Sequence, residues 1–260
     1  MKKLFINALI GVMAGFFGSL VGLGGGVVMI PLMVGLLKLT QHQAHGTSML
    51  ALVFTGITGA FAYSAKGNVD VMAAALLAAT SVVTVRYGAR YAHSLPEWRL
   101  KRAFGGFLIF ASVVLILKPY LGIGGEPIAG IQKVSVLLIT GLFAGFVAGM
   151  MGVGGGTVMV PPMVILMGMS QHLAQGTSLL CMVAAGIVGA YTHWRLGNVV
   201  LGILMGLIVG IVIGAYLGGT IAQYLPELHL RLLFSSFLIW TGVRYLKTRP
   251  VGTNRGDSLK

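Results

Sequence analysis

Gly15-Phe-Phe-Gly-Ser-Leu-Val-Gly-Leu-Gly-Gly-Gly-Val-Val-Met-Ile-Pro31 returns as Gly145-Phe-Val-Ala-Gly-Met-Met-Gly-Val-Gly-Gly-Gly-Thr-Val-Met-Val-Pro161, 130 positions later. The same offset holds without a gap through Gln41/Gln171, Gly46-Thr-Ser48/Gly176-Thr-Ser178, Gly67-Asn-Val69/Gly197-Asn-Val199, Leu95-Pro-Glu97/Leu225-Pro-Glu227 and Phe107-Leu-Ile109/Phe237-Leu-Ile239. Two copies of one unit therefore make up nearly the whole chain. An apolar unit duplicated in this way is a common build of membrane transporters, whose site lies where the two copies meet.

Composition fixes the solvent. The 260 residues are 57% hydrophobic and 9% charged, with a mean hydropathy of +0.93. A water-soluble globule of this composition would expose large apolar patches. The apolar stretches are long and rich in Leu, Ala, Gly and Met rather than short and alternating, so the spanning elements are helices and not barrel strands. The net charge of +13 would suggest nucleic acid in a soluble protein. Here the basic residues sit at the ends of apolar segments, where they orient the chain in a membrane, and no nucleic-acid partner is expected. Cys181 lies inside an apolar stretch, can form no internal disulfide, and reads as a small buried apolar residue.

Met1-Lys-Lys-Leu-Phe-Ile-Asn-Ala-Leu-Ile resembles the start of a secretory signal. The repeat argues against cleavage, because Gly11 to Val28 pairs in phase with Gly141 to Val158 in mid-chain. The first copy reads as apolar segments Leu4 to Leu23, Val27 to Leu39, Thr47 to Tyr63, Val69 to Ala92 and Leu100 to Leu117. The second repeats them as Val134 to Val153, Thr157 to Met169, Thr177 to His193, Val199 to Ala222 and Leu230 to Tyr245. Residues 1–247 are thus expected to form one transmembrane domain, with repeat 1 over about 4–118 and repeat 2 over about 134–247. Residues 119–133 would be a linker, and 248–260 a disordered polar tail.

The second segment of each copy is too short to cross comfortably alone. A helix over Val27 to Leu39 would reach about 20 Å, against a hydrocarbon core of about 30 Å. It is one arm of a hairpin, either re-entrant or made of two short spans. In both cases each copy makes an odd number of net crossings, so the copies are inverted relative to each other. The basic residues agree: Arg86, Arg90, Arg99 and Arg102 correspond to Tyr216, Thr220, His229 and Leu232. One structural corner is basic once and nearly neutral once, as expected when only the first faces the cytoplasm. Lys2, Lys3, Lys38, the 86–102 cluster, Arg195 and the basic tail are then cytoplasmic, as are both termini; Lys66, Lys118, Lys133 and Arg231 face out. The predicted fold is an all-α membrane protein, a polytopic helical bundle of two inverted repeats, each with a Gly-rich broken or re-entrant helix pair.

Gly22, Gly24, Gly25 and Gly26, with Gly152, Gly154, Gly155 and Gly156, precede the short helices. Glycine permits backbone conformations closed to other residues and close approach of amide groups to a ligand. A helix N-terminus inside the membrane offers unpaired donors and the positive end of its dipole. Two such termini meeting at the midplane would flank one anion. The alternative is tight helix packing through small residues, the role read for Gly15/Gly18 and Gly56/Gly59. A nucleotide loop is not indicated, since no Gly-Lys-Ser/Thr follows. Thr47, Ser48, Thr177 and Ser178 open the third segments, where they either cap the helices or donate to the same anion. Gln41, His42, Gln171 and His172 read as solvated loop near a membrane face.

Asp70, Glu97, Glu126, Glu227 and Asp257, the five acidic residues, all fall in loops or at segment ends. No carboxylate then sits deep enough to hold Na⁺ or relay protons, which favours an anionic substrate. A Ser48/His42 pair lacks a group to orient the histidine, and no cluster has metal spacing, so no catalytic residue, metal or cofactor is expected.

The duplicated Gly-x-Gly-Gly-Gly with following Pro (Gly22 to Pro31, Gly152 to Pro161), Ala-x-Gly-Thr-Ser (Ala44 to Ser48, Ala174 to Ser178) and Gly-Asn-Val (Gly67 to Val69, Gly197 to Val199) resembles the TauE/SafE family of sulfite and organosulfonate exporters. The resemblance covers about residues 5 to 247. It implies a bacterial or archaeal cytoplasmic-membrane permease for sulfite, a sulfonate such as sulfoacetate, or a related sulfur anion, with the lipid bilayer as its other partner. It fixes neither the substrate nor the direction of transport. A passive anion channel and a membrane-embedded enzyme or assembly factor are the alternatives. His45 against Gln175 and Leu23 against Val153 break strict equivalence of the two copies.

Overall fold

The computed structural model describes residues 2–91, 97–117 and 130–247. Residues 119–129 of the expected linker and all of the expected tail (248–260) lie outside the described residues. Among those described, ten α-helices and one 3-10 turn (Leu201–Ile203) are the regular elements, and no strand occurs. They are α1 (Lys2–Leu20), α2 (Gly26–Leu36), α3 (Gln41–Ser64), α4 (Val71–Tyr91), α5 (Glu97–Leu117), α6 (Gly130–Met151), α7 (Gly156–Ile165), α8 (Gln171–Arg195), α9 (Leu204–Ala222) and α10 (Glu227–Leu246). Each helix of the first copy has its counterpart in the second, as the repeat predicts.

The stretches over α3, α4, α6, α8 and the 3-10 turn with α9 are long and apolar enough to cross a membrane. Leu9, Phe61, Phe110, Ile139, Met205 and Ile213 remain exposed on the outside of the bundle, a surface that only lipid covers without cost. The short helices α2 and α7, of 11 and 10 residues, reach about 15 Å and cannot span. Pro31 in α2, and Pro161 with Pro162 in α7, each remove a helical amide.

Packing exchanges partners between the copies. α1 lies along α9, its equivalent α6 lies along α4, and α3 lies along α8. Glycine makes these seams close: a methyl added at Gly15, Gly210, Gly141 or Gly149 would fall on the backbone of the facing helix. Without a hydrophobic drive between helices in lipid, such close backbone contact supplies the attraction. Gly56 serves the α3/α8 seam in the same way and Gly15 the α1/α9 seam, while Gly59 meets the side chains of Ser19 and Leu179.

The register of α3 against α8 gives their direction. Gly46 meets Asn198, just beyond the end of α8; Gly56 meets Leu179 and Val183; Gly186 meets Met49 and Val53. Numbers rise along one helix as they fall along the other, so these equivalent helices are antiparallel. By contrast Leu4, Ala8, Val12 and Phe16 meet Gly206, Gly210, Gly214 and Gly218 in ascending order, so α1 and α9 are parallel. Both relations hold when one copy is turned over relative to the other.

The expected start of the third helices needs correction. α3 begins at Gln41 and α8 at Gln171, six residues before Thr47 and Thr177. Thr40 caps α3 in a capping box, its hydroxyl accepting from Gln43 N (3.2 Å) while Gln43 Oε1 accepts from Thr40 N (3.1 Å). Ser170 accepts from Leu173 N at the start of α8. Gln41, His42, Gln171 and His172 are therefore first-turn helical residues rather than solvated loop. Gln171 is buried, and His172 Nε2 lies 3.1 Å from the carbonyl oxygens of both Ala222 and Leu225.

One end of the bundle collects cations. Arg86 and Arg90 of α4 share a surface recess with Arg195 of α8, and Arg244 of α10 lies beside the C-terminal turn of α2 and the N-terminal turn of α3. The opposite end holds Lys66, stacked 3.9 Å from the Tyr224 ring centroid, and two compensated cations. Lys133 pairs with Asp70 at 3.4 Å and Arg231 with Glu227 at 2.7 Å. Asp70 also caps α4 by accepting from Ala73 N.

Candidate functional site: the crossing of the glycine loops

The two glycine runs touch each other in the middle of the molecule. A methyl added at Gly26 would fall on the Gly152 carbonyl oxygen, and one added at Gly156 on the Gly22 carbonyl oxygen. Gly24 and Gly154 both stand against Leu52 and Met182, which are half-way along α3 and α8. Side chains at these positions would hold the loops apart; glycine lets backbone lie on backbone. Gly24 (φ 81°) and Gly154 (φ 80°) also adopt the left-handed conformation that glycine reaches without steric cost.

Both short helices begin at this crossing. α2 follows Gly25 and α7 follows Gly155, in each case without a side-chain cap. Val28 and Met29 donate to Gly25 O, and Val158 and Met159 to Gly155 O. Among the described residues no backbone acceptor faces the amides of Gly26, Val27 and Thr157. These are the orphan donors of a helix N-terminus, placed together with the positive ends of two helix dipoles.

The hydroxyls predicted beside the glycines divide into two pairs. Ser48 Oγ lies 2.8 Å from Gly152 O and 2.8 Å from His45 O, while Ser178 Oγ lies 3.0 Å from Gly22 O and 2.8 Å from Gln175 O. Each serine thus clips the glycine loop of the other copy to its own helix. Thr47 and Thr177 point elsewhere. Thr47 Oγ1 accepts from Val200 N (3.0 Å) and Thr177 Oγ1 from Asp70 N (2.9 Å). Gly46 and Gly176 press on the carbonyls of Asn198 and Asn68, so the Gly-Thr-Ser motif of each copy packs on the asparagine of Gly-Asn-Val and the residues just after it in the other. All four hydroxyl residues are fully buried.

Position 45/175 carries more than its polarity suggested. Tyr63 donates to Gln175 Oε1 at 2.8 Å and lies 3.2 Å from Ser19 O. The equivalent of Tyr63 is His193, whose Nε2 lies 3.2 Å from Gly149 O, the counterpart of Ser19 O. The positions equivalent to the Tyr63–Gln175 pair are His193 and His45, so histidine replaces both members of the pair in the other half. Two departures from the repeat, both visible on aligning the copies, mark it: Tyr63/His193 and His45/Gln175.

Comparison with known proteins agrees with this architecture. Residues 7–245 match the family described as "Sulfite exporter TauE/SafE". The chain is 31% identical over 216 residues to the "Probable membrane transporter protein YunE" of Bacillus subtilis, covering 75% of this chain and 79% of the relative. A "Probable membrane transporter protein" of Haemophilus influenzae is 29% identical over 253 residues, covering 89% and 93%. That of Methanocaldococcus jannaschii, MJ0441, is 23% identical over 249 residues, covering 88% and 90%. No solved structure matches the chain. With the family match running through both copies and through every glycine of the crossing, this chain belongs to the sulfite exporter TauE/SafE family.

Proposed function

We propose that the protein is a secondary transporter or facilitator that moves a small sulfur-containing anion, such as sulfite, sulfoacetate or a related sulfonate, across the cytoplasmic membrane. The observation that carries this reading is the reciprocal crossing of the two glycine loops. Orphan amides and two helix N-termini gather there with no carboxylate among the residues that touch them. Such a site favours negative charge through dipoles and donors. Gly22, Gly24, Gly25, Gly26, Gly152, Gly154, Gly155 and Gly156 would face the anion. Ser48 and Ser178 would fix the loops and lend donors when the loops part, and Thr47 and Thr177 would brace the helices behind them.

The crossing is closed, since Gly26 and Gly156 lie directly on carbonyls of the opposing loop. That supports a carrier that rocks one inverted copy against the other over an open channel. The excess of cations at the end bearing α1's N-terminus and α10's C-terminus supports placing that end, and both chain termini, in the cytoplasm. The test is a thermal-shift screen of the purified protein against sulfite, thiosulfate, sulfate and short sulfonates, followed by flux in liposomes. A ligand that binds the folded state raises its midpoint by mass action. Saturable flux of the stabilising anion is the expected result; stabilisation by none of them, with no flux, overturns the reading.

A further inference from the structure

A cavity of about 360 Å³ opens at the cationic end of the bundle, between α2, the first turns of α3 and the end of α10. One wall is the apolar face of α2. Gln41 and His45 of α3, with Thr241 and Arg244 of α10, line the rest. Val27 and Met151 also border it, and these are the neighbours in sequence of Gly26 and Gly152, which meet at the crossing. The cavity therefore runs from the end of the bundle to within one residue of both glycine loops. Gln41 Nε2 lies 3.2 Å from His45 Nε2, and the Arg244 guanidinium stands 5.6 Å from the Trp240 ring centroid. Among the described residues no acidic side chain borders the cavity.

The other copy does not repeat this. The positions equivalent to His45, Thr241, Arg244 and Tyr245 are Gln175, Ala111, Val114 and Leu115. Val160, Val164, Gln171, Gln175 and Leu115, equivalent to five of the lining residues, are each fully buried. One end is open and lined by a cation; at the other end the equivalents of its polar liners, Gln175, Ala111, Val114 and Leu115, include no cation. An arginine at the mouth together with donors along one wall favours an anion in the passage. The volume suits a small molecule, and the donor set matches a sulfonate or sulfur oxyanion, whose oxygens accept from guanidinium, imidazole and amide N–H groups.

We propose that this cavity, walled by α2 and α3 of the first copy and α10 of the second, is a loading subsite for a small sulfonate or sulfur oxyanion at the cationic end of the transporter alone, with Arg244 as its fixed cation and His45 and Gln41 as donors. The assignment of sulfur anions rests on the function proposed above; the anion preference of the cavity stands on its own residues. Gly35 gives a reporter. It lies in the cavity wall, and a side chain added there meets nothing within 4 Å. In purified Gly35→Cys protein with Cys181→Ala, the labelling rate by the anionic 2-sulfonatoethyl methanethiosulfonate is compared with that by the cationic 2-aminoethyl reagent. Each rate is scaled to that of a free thiol. A ratio above one is expected, falling about threefold or more with Arg244→Gln as one nearby charge is removed, and retained with Arg244→Lys. Ethanesulfonate slows the labelling and choline does not. A scaled ratio near one, or one unmoved by Arg244→Gln, overturns the proposal. Absence of sulfonate flux in liposomes with the ratio still high would instead remove the transport reading and leave the anion subsite in place.

Discussion

Leu52 and Met182, equivalent residues of the two copies, both stand against Gly24 and both stand against Gly154. Only a pair lying astride the axis that exchanges the copies can have this relation. The point where both glycine loops meet both central helices is therefore the pseudo-symmetry centre of the protein. A side chain there disturbs the two halves together. Gly24→Ala would set a methyl 2.7 Å from Leu52 Cδ2 and 2.7 Å from Met182 Sδ, on a backbone held at φ 81°. The side-chain ends can move, but the left-handed backbone costs a non-glycine residue about 1–2 kcal/mol. The variant should insert and fold with a lowered thermal midpoint and lose flux in liposomes. Wild-type flux would mean that the loops need not approach each other at this point.

Gly25 and Gly155 share a motif position but not a conformation. Gly25 has φ 84° and backs onto the Ala14 carbonyl, whereas Gly155 has φ −53° and faces the mobile end of Met159 and the Ala144 methyl. Gly25→Ala should therefore lower stability by about 1–3 kcal/mol more than Gly155→Ala. Denaturation in mild detergent gives both values. Equal losses would mean that the two loops exchange conformations freely.

The serine clips and the threonine braces separate in function as they do in space. Ser48→Ala and Ser178→Ala each leave a glycine-loop carbonyl without its buried hydroxyl donor, at a cost of about 1–3 kcal/mol. These variants should also change the affinity for the transported anion. Thr47→Val and Thr177→Val leave the Val200 and Asp70 amides without their acceptor, a similar loss of stability, but should bind the anion as wild type does. Isothermal titration with the anion identified by thermal shift compares the four. Equal affinity changes in serine and threonine variants would erase the distinction.

Much of this arrangement is legible in the sequence because the repeat supplies an internal control. The matched glycine runs, the short second segments and the basic corner present in one copy alone lead to turned-over copies with their loops at the centre. What sequence reading misplaces is local. Thr40 and Ser170 look like ordinary polar residues before a polar stretch, yet their caps start α3 and α8 early enough to bury Gln171 and carry Thr47 and Ser48 into the helix. The cross-copy contacts of Tyr63, Gln175 and Thr177 join residues more than a hundred positions apart, and no local pattern encodes them. Arg244 carries no local pattern that sets it apart from the other cations near segment ends. Only the fold, which brings α2, α3 and α10 around one cavity, sets it at the mouth of a passage.

The last prediction concerns direction. Antiparallel α3 and α8 mean that equivalent residues of the two copies lie at opposite ends of the bundle if the central helices span the membrane. Position 99, at the start of α5, and His229, in the first turn of α10, are such a pair. The cations at the end shared by Arg86, Arg90, Arg195 and Arg244 assign that end to the cytoplasm by the positive-inside rule. With Cys181→Ala as background, a cysteine introduced by Arg99→Cys should react with an impermeant reagent in inverted vesicles and not in intact cells. One introduced by His229→Cys should do the reverse. The two sites need no transported ligand, so the result bears on topology alone. Labelling of both from the same face would require parallel copies, and the antiparallel register of Gly56 on Leu179 and Gly186 on Met49 would then have to be wrong.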